Sequence, residues 1–327
     1  MTLGTSATLD QVLAQLRSAK PSQLTLTSGW ASQDNVASNI RVTGQAPPAS
    51  DPKILDATGD FPRRIAARFY YWVHDTNIPM PFDGSQPPSS DYFPDAIDVL
   101  ISKQPGDTYL VLFSTYDDSL AKTAADALVL RAQASDPQAT LNRSSSALHL
   151  SSSDVFVWIY EHARAGRQLS PALKITKVES VSTVEAGNKS GLLKGAVDWD
   201  RISFLTALAD EQDFGPVTIT VNLTDRKGTN RVVFALWTDG SFSIKATRTH
   251  YRGFADAESL KLKAVHDIAY RIIPAIQLAR AGDTPWPGRR STMIDAAKAK
   301  LSTHFGVSIA PAPVAAATNS TPSALTP

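Results

Sequence analysis

Apolar and polar residues alternate most regularly between Val217 and Thr249. Val217, Ile219, Val221 and Leu223 are interleaved with Thr218, Thr220 and Asn222, the period of two that marks a strand with one buried face. The segment from Arg231 to Thr238 carries Val232, Val233, Phe234, Leu236 and Trp237, with apolar groups on both faces, as a covered central strand does. Asp239-Gly240 can take the positive φ angles of a tight turn, after which Phe242, Ile244 and Ala246 alternate with Ser243, Lys245 and Thr247. The pattern predicts a three-stranded antiparallel meander. A long helix to Arg280 follows, burying Val265, Ile268, Ile272, Ile276 and Ala279 in a core or an oligomer interface, with a kink at Pro274.

From the N-terminal side, Leu9, Val12, Leu13 and Leu16 repeat with helical spacing behind Thr8, a capping residue, and the helix should end near Ala19-Lys20-Pro21. Leu24 and Leu26 suggest a short strand, Ile40 and Val42 another, and 46–52 a turn-rich connection. Residues 63–76 fit a helix that turns to strand near Ala67, with a second short helix at 96–102. Residues 78–94 hold five prolines, a loop long enough to carry function. A strand at 108–116 leads into a helix opened by Asp117-Asp118-Ser119, whose acids suit the macrodipole. Ala147 to Leu150 reads as a strand, and Ser153 as the cap of a helix closed by Gly166. One or two strands follow over 173–184, then a turn at 185–191 and a helix after Trp199. GDTPWPG, with Trp286, reads as a linker before a last helix capped by Ser291 and striped by Ile294, Ala297, Leu301 and Phe305.

The expected fold is α+β: antiparallel sheets with packed helices and a long C-terminal helix. It divides into an acidic N-terminal α+β part (1–150), a basic C-terminal sheet-and-helix part (151–306) and a disordered Pro/Ala-rich tail (307–327).

Charge changes this picture more than bulk composition does. Residues 1–215 hold 18 Lys/Arg against 24 Asp/Glu, whereas 216–310 hold 14 against 7, so the balances are −6 and +7. Such asymmetry points to an anionic partner for the basic half. The absence of cysteine excludes disulfides, thiolate metal sites and cysteine nucleophiles. No basic segment precedes an apolar core at the start, and no apolar run reaches the roughly 20 residues that span a bilayer, so a cytoplasmic location is expected.

Motifs with chemistry are scarce. GNKSG (187–191) lacks the leading glycine of a phosphate-binding loop, and neither G-x-G-x-x-G nor G-x-S-x-G occurs. The six histidines are scattered, which argues against zinc, and His162 fits a helix surface or core edge. Asp198 and Asp200 could hold a divalent ion from a strand, with Glu179, Glu185 and Lys189 completing a metal-dependent nuclease. Their alternative role is to cap the helix that follows. The basic residues form the larger constellation: Arg226, Lys227, Arg231, Lys245, Arg248, Arg252, Lys261 and Lys263. Strict two-residue pairing across Asp239-Gly240 would set Trp237 opposite Phe242 and Arg231 opposite Arg248, two facing like charges that an anion would relieve. Lysines and arginines on a rigid sheet neutralise a phosphate backbone without reading bases, so sequence-tolerant DNA binding is expected, with no catalytic residue, metal or cofactor. A protein-interaction module built on the long helix and the Pro-rich segments is the third reading.

The order of elements resembles that of the RexA, RdgC and KwaB group of phage-exclusion and recombination-associated proteins. The likeness rests on TYLVLFSTYDDSL with its following helix, on DVFVWIYEHARAGRQLSPALKI, and on a helix before VTITVNL with a late helix beyond. It covers about residues 65–280 in layout, whereas the Pro-rich 78–94 loop and the C-terminal tail depart from it. The resemblance implies a dimeric, sequence-tolerant DNA-binding sensor working beside a membrane-protein partner.

Overall fold

The capping signal at Thr8 is realised in the computed structural model, which describes residues 1–31, 51–184, 190–194, 200–226, 228–253 and 257–306. The Thr8 hydroxyl accepts from Gln11 N at 3.2 Å while the Gln11 side chain accepts from Thr8 N at 2.8 Å, a reciprocal box that opens a helix over Leu9–Ser18 (α1). That helix buries Leu9, Val12, Leu13 and Leu16 and stops at Ala19, as expected.

A first antiparallel sheet contains β1 (Thr2–Gly4), β2 (Gly29–Trp30), β3 (Lys53–Leu55), β4 (Arg64–His74), β5 (Tyr92–Lys103), β6 (Thr108–Phe113) and β7 (Thr140–Asn142). Its order is β2-β4-β5-β6-β1-β7, with β3 also paired to β4. Helices α1 and α2 (Asp118–Gln133) cover one face, where Ile65, Phe69, Val99 and Val111 meet Val12, Leu16 and Leu128. Asp117 caps α2, its carboxylate accepting from Ser119 N and Leu120 N.

Several expectations fail in this half. Residues 64–74 are strand throughout, with no helical first turn, and 96–102 is strand rather than helix. The two segments pair along their whole lengths, from Arg64↔Ser102 to His74↔Tyr92. Both faces of this hairpin are largely buried, so the polar-apolar alternation that betrays a strand is missing. Tyr92, Phe93 and Pro94 belong to β5, which confines the Pro-rich loop to 75–91. Leu24 and Leu26 lie in a turn closed by a Ser22↔Thr27 bridge, and Leu24 is 85% exposed. Ile40, Val42 and residues 46–50 fall outside the described residues.

The second sheet holds β8 (Gln168–Ser170), β9 (Leu173–Val184), β10 (Ser190–Lys194), β11 (Asp213–Asp225), β12 (Gly228–Leu236) and β13 (Phe242–Ile244), in the order β10-β9-β11-β12-β13 with β8 on β9. The meander is present. Its turn is longer than two residues, because Leu236, not Trp237, faces Phe242, and Trp237 N donates to Ser241 O at 3.0 Å. Gly240 supplies the positive φ, +81°.

Helices α3 (Asp154–Arg164), α4 (Ile202–Ala209), α5 (Ala257–Asp267), α6 (Ile273–Ala281) and α7 (Trp286–Phe305) contribute to a core that runs from Leu148 to Leu301 and also takes Leu110 from the first sheet. A π-helical turn, Ile268–Ile272, joins α5 to α6 just before Pro274. Proline has no N–H for the carbonyl four residues back and its ring crowds that carbonyl, so a widened turn ahead of it relieves both problems.

Further corrections concern this half. Ala147 to Leu150 is no strand; it lies against the β12–β13 turn, where Leu150 N donates to Thr238 O at 2.8 Å. Ser153 holds the N-cap position of α3 as expected, but its hydroxyl makes no capping hydrogen bond and goes to Asp213 Oδ1 at 2.5 Å instead. Trp286 is not in a linker: it is the first residue of α7 and 1% exposed. Ser291 therefore sits inside that helix, bonded to the Pro287 carbonyl. Ile294, Ala297 and Leu301 are buried as expected, but Phe305 is 60% exposed. Of the turn expected at 185–191, Ser190 and Gly191 open β10 instead, while 185–189, Trp199 and the tail 307–327 lie outside the described residues.

Candidate nucleic-acid interface

Burying Val217, Ile219, Val221 and Leu223 turns Thr218, Thr220 and Asn222 to the opposite face of β11. Strand pairing then lines up charges along that face. Asn222 is opposite Lys174 on β9 and opposite Arg231 on β12, and Arg231 is bridged in turn to His250. Neighbouring strands lie 4.7–4.9 Å apart, so Lys174 and Arg231 stand about 10 Å from each other across Asn222. The adjoining row sets the exposed Lys177 against Thr220, beside Val233.

One acid interrupts this face. Glu179, whose side chain is only 11% exposed, accepts from the Thr220 hydroxyl at 2.8 Å and forms an ion pair with Arg248. Arg248 does not face Arg231 as strict pairing would require. It lies in a 3-10 turn, Ala246–Arg248, that follows β13, and its carbonyl accepts from Arg231 Nε at 3.1 Å. The two arginines are joined through the main chain and repulsion between them is offset by Glu179.

The other basic residues are dispersed. Lys245 is half-buried and its backbone N–H donates to Val233 O. Arg226 is exposed at the end of the β11–β12 hairpin, and Lys227 lies outside the described residues. Arg252 is exposed and lies close against Gly228, where a Cβ would meet its guanidinium; its backbone N–H donates to Asn230 Oδ1. Lys261 is exposed on α5. Lys263 belongs elsewhere: its ammonium donates to Asp267 Oδ2 at 2.8 Å and sits over the rings of Phe61 and Tyr251. The structure thus brings Arg231, Lys245 and Arg248 together and adds Lys174 and Lys177. In sequence these two lysines are only a K-x-x-K within an apolar run, and the register of β9 against β11 is what gives them neighbours.

Of the acids considered for a metal site, Glu185 and Asp198 lie outside the described residues, as does Lys189, and Asp200 pairs with Lys300 on α7. The N-cap of α4 is Arg201, with no side chain capping it, so Asp200 is not a cap. Among the described residues no group of three or more His, Asp or Glu side chains could hold a metal ion. His162 is more deeply placed than expected, 5% exposed and stacked on Trp158 at 4.5 Å, and burial lowers its pKa. A cleft of about 400 Å³ beside α3 is lined by His149, Ser152, Ser153, Asp213 and Trp237 among others. Its serine-aspartate hydrogen bond joins Ser153 directly to Asp213, without an imidazole between them.

The fold is α+β, and the outer face of its second sheet carries the exposed basic residues Lys177, Arg231 and Arg248 on a surface covered at Thr220, Val233 and Ala235. No protein-family model matches the chain, and no curated protein does. Among the described residues no helix is long and apolar enough to cross a membrane.

Proposed function

We propose that the protein binds DNA through the phosphate backbone, without reading sequence, using the outer face of the second sheet. The observation that carries this reading is the row Lys174–Asn222–Arg231, continued by Arg248, on strands whose other face is locked into the core. A rigid sheet fixes the spacing of its cations, and phosphates are the anions that recur along a polymer at regular spacing. Among the described residues this face carries no helix or ribbon projecting as a groove-reading element would, which favours sequence tolerance. The resemblance in element order adds the finer proposal: a cytoplasmic homo-oligomer of phage-defence or recombination-control type, with a membrane-protein partner.

Affinity for random-sequence duplex, measured by fluorescence anisotropy across a salt series, tests the proposal. Binding should weaken steeply with salt, by about 0.9 counterions for each phosphate contacted. The double variant Lys174→Gln, Arg231→Gln should bind more weakly on all sequences alike, with a salt slope shallower by about two. Unchanged affinity and slope in that variant would sink the proposal and favour a protein-interaction module. Cleavage of the duplex on adding Mg²⁺ or Mn²⁺ would instead favour the nuclease.

A further inference from the structure

Buried polar groups without partners gather where the first sheet meets the helix α5 and its π-helical continuation. Arg64 and Ser102 are directly opposed on β4 and β5, 6% and 0% exposed. His266 and Tyr270 come from the helix one turn apart, with ring centroids 6.0 Å from each other. The Tyr270 hydroxyl lies beside that of Ser102, and the Arg64 guanidinium is near enough to hold the His266 pKa down. Phe61 is packed among them, 5.9 Å from the His266 ring, 6.3 Å from the Tyr270 ring and 5.6 Å from the Arg64 guanidinium carbon. Arg64 Nε and His266 Nε2 lack a hydrogen-bond partner, and the Ser102 and Tyr270 hydroxyls, set against each other, have no further one.

Two orphans beside a pair of hydroxyls bonded only to each other are unusual in one seam, because each unmet buried group is costly. What they share is more informative than their number. Arg64 Nε–H and both hydroxyls can donate, and His266 Nε2 can do so in one tautomer. Arg64 is also a buried cation, and among the described residues no carboxylate pairs with it. The acids nearby are engaged elsewhere: Asp267 accepts from Tyr251, Lys263 and Arg271, and Asp60 pairs with Arg271 at 3.0 Å. Counting Arg64, Lys263 and Arg271 against Asp60 and Asp267 leaves one positive charge in the seam.

We infer that this seam binds one small monovalent inorganic anion, held by Arg64, Ser102, Tyr270 and His266 between the first sheet and the α5–α6 helix. A single negative charge balances Arg64, and a halide accepts from several donors while demanding nothing in return. A water molecule could bond to the hydroxyls and the imidazole but would leave the charge uncompensated. The site takes residues from both halves of the chain, so occupancy couples the first sheet to the second core. It is separate from the basic outer face proposed to bind DNA.

Crystals of the full chain grown in bromide test the inference directly. An anomalous peak should appear within hydrogen-bonding distance of Arg64 and Ser102; a water there, or bromide bound only on the surface, overturns it. In solution, exchanging gluconate for chloride at constant ionic strength should raise the thermal midpoint, since a ligand specific to the folded state stabilises it. Ser102→Ala keeps the charge and should weaken chloride binding roughly ten- to a hundredfold, and Arg64→Met should abolish it. An equal chloride response in parent and both variants refutes the site. Should either variant fail to fold, the bromide crystals of the parent protein decide.

Discussion

Arg248 and Glu179 are ion-paired across the outer face of the second sheet, from the turn after β13 to the middle of β9. The pair determines how much positive charge that face presents. Arg248 remains half exposed, whereas Glu179 is nearly covered and also holds the Thr220 hydroxyl. In Glu179→Gln the amide can still accept from Thr220 while Arg248 is released to solvent. Affinity for duplex DNA should rise several-fold and the salt slope should steepen by about one, as one further phosphate is neutralised. Anisotropy titrations at several salt concentrations read both quantities, and a weaker-binding variant would place the DNA contact elsewhere.

The β12–β13 turn admits no side chain at Gly240. Its φ is +81°, and a Cβ there would stand 2.4 Å from the Leu148 carbonyl oxygen. That neighbour is backbone, tethered through the Leu150–Thr238 hydrogen bond, and cannot swing away. Gly240→Ala should therefore cost more than about 1 kcal/mol of stability, read as a lowered urea midpoint with an unchanged m-value.

The start of α7 is tied to the start of α3 through one carboxylate. Asp154 accepts from Trp286 Nε1 at 2.7 Å and from Arg280 Nη2 at 2.9 Å, and lies 2.7 Å from Arg290 Nε. Asp154→Ala strands three donors in a partly buried place and should destabilise the fold by about 2–4 kcal/mol. Asp154→Asn keeps an acceptor for the indole but not the charge, so it should fall between Ala and the parent. Equal midpoints for all three proteins in chemical denaturation would contradict the tie.

Burial and the neighbouring Arg64 and Lys263 bring the His266 pKa down to about 4 from its ordinary 6.5, with Asp267 opposing them in part. The unfolded chain takes up a proton on this histidine below about 6.5, while the folded chain resists until about 4. Stability contributed by neutral His266 is therefore intact above 6.5 and is lost as pH falls towards 4. The loss is on the order of 3 kcal/mol. Unfolding midpoints measured between pH 7 and 4 should fall accordingly, and His266→Gln should flatten that part of the curve.

Much of the fold was legible where burial is one-sided. β11 shows its face because its outward positions are Thr and Asn, and α1 because Thr8 and Gln11 lock its first turn. The β4–β5 hairpin was not legible, since Arg64, Arg68 and Ser102 are themselves buried and the strand has no polar side to reveal it. Trp286 misled for a different reason: flanking prolines suggest a break, yet proline is well tolerated in the first turn of a helix. The candidate interface was half visible. Local sequence supplied Arg231, Lys245 and Arg248, but their neighbours Lys174 and Lys177 lie 54 to 74 residues earlier on another strand. The acid that ties Arg248 is on that same strand, and no local rule couples the two.

Strand β1 has a consequence for how the protein reaches this state. Its residues Thr2, Leu3 and Gly4 lie between β6 and β7, paired to Leu110, Tyr109 and Thr108 on one side and to Asn142, Leu141 and Thr140 on the other. The β4–β5 and β5–β6 hairpins can assemble from nearby chain, but β1 must close loops of more than a hundred residues on both sides. During synthesis the exposed edge of β6 therefore stays unpaired until β1 returns to it, and β7 can dock only after that. An edge left open in this way is where a nascent chain pairs with the wrong partner. The longest-range pairing of the first sheet thus falls on three residues.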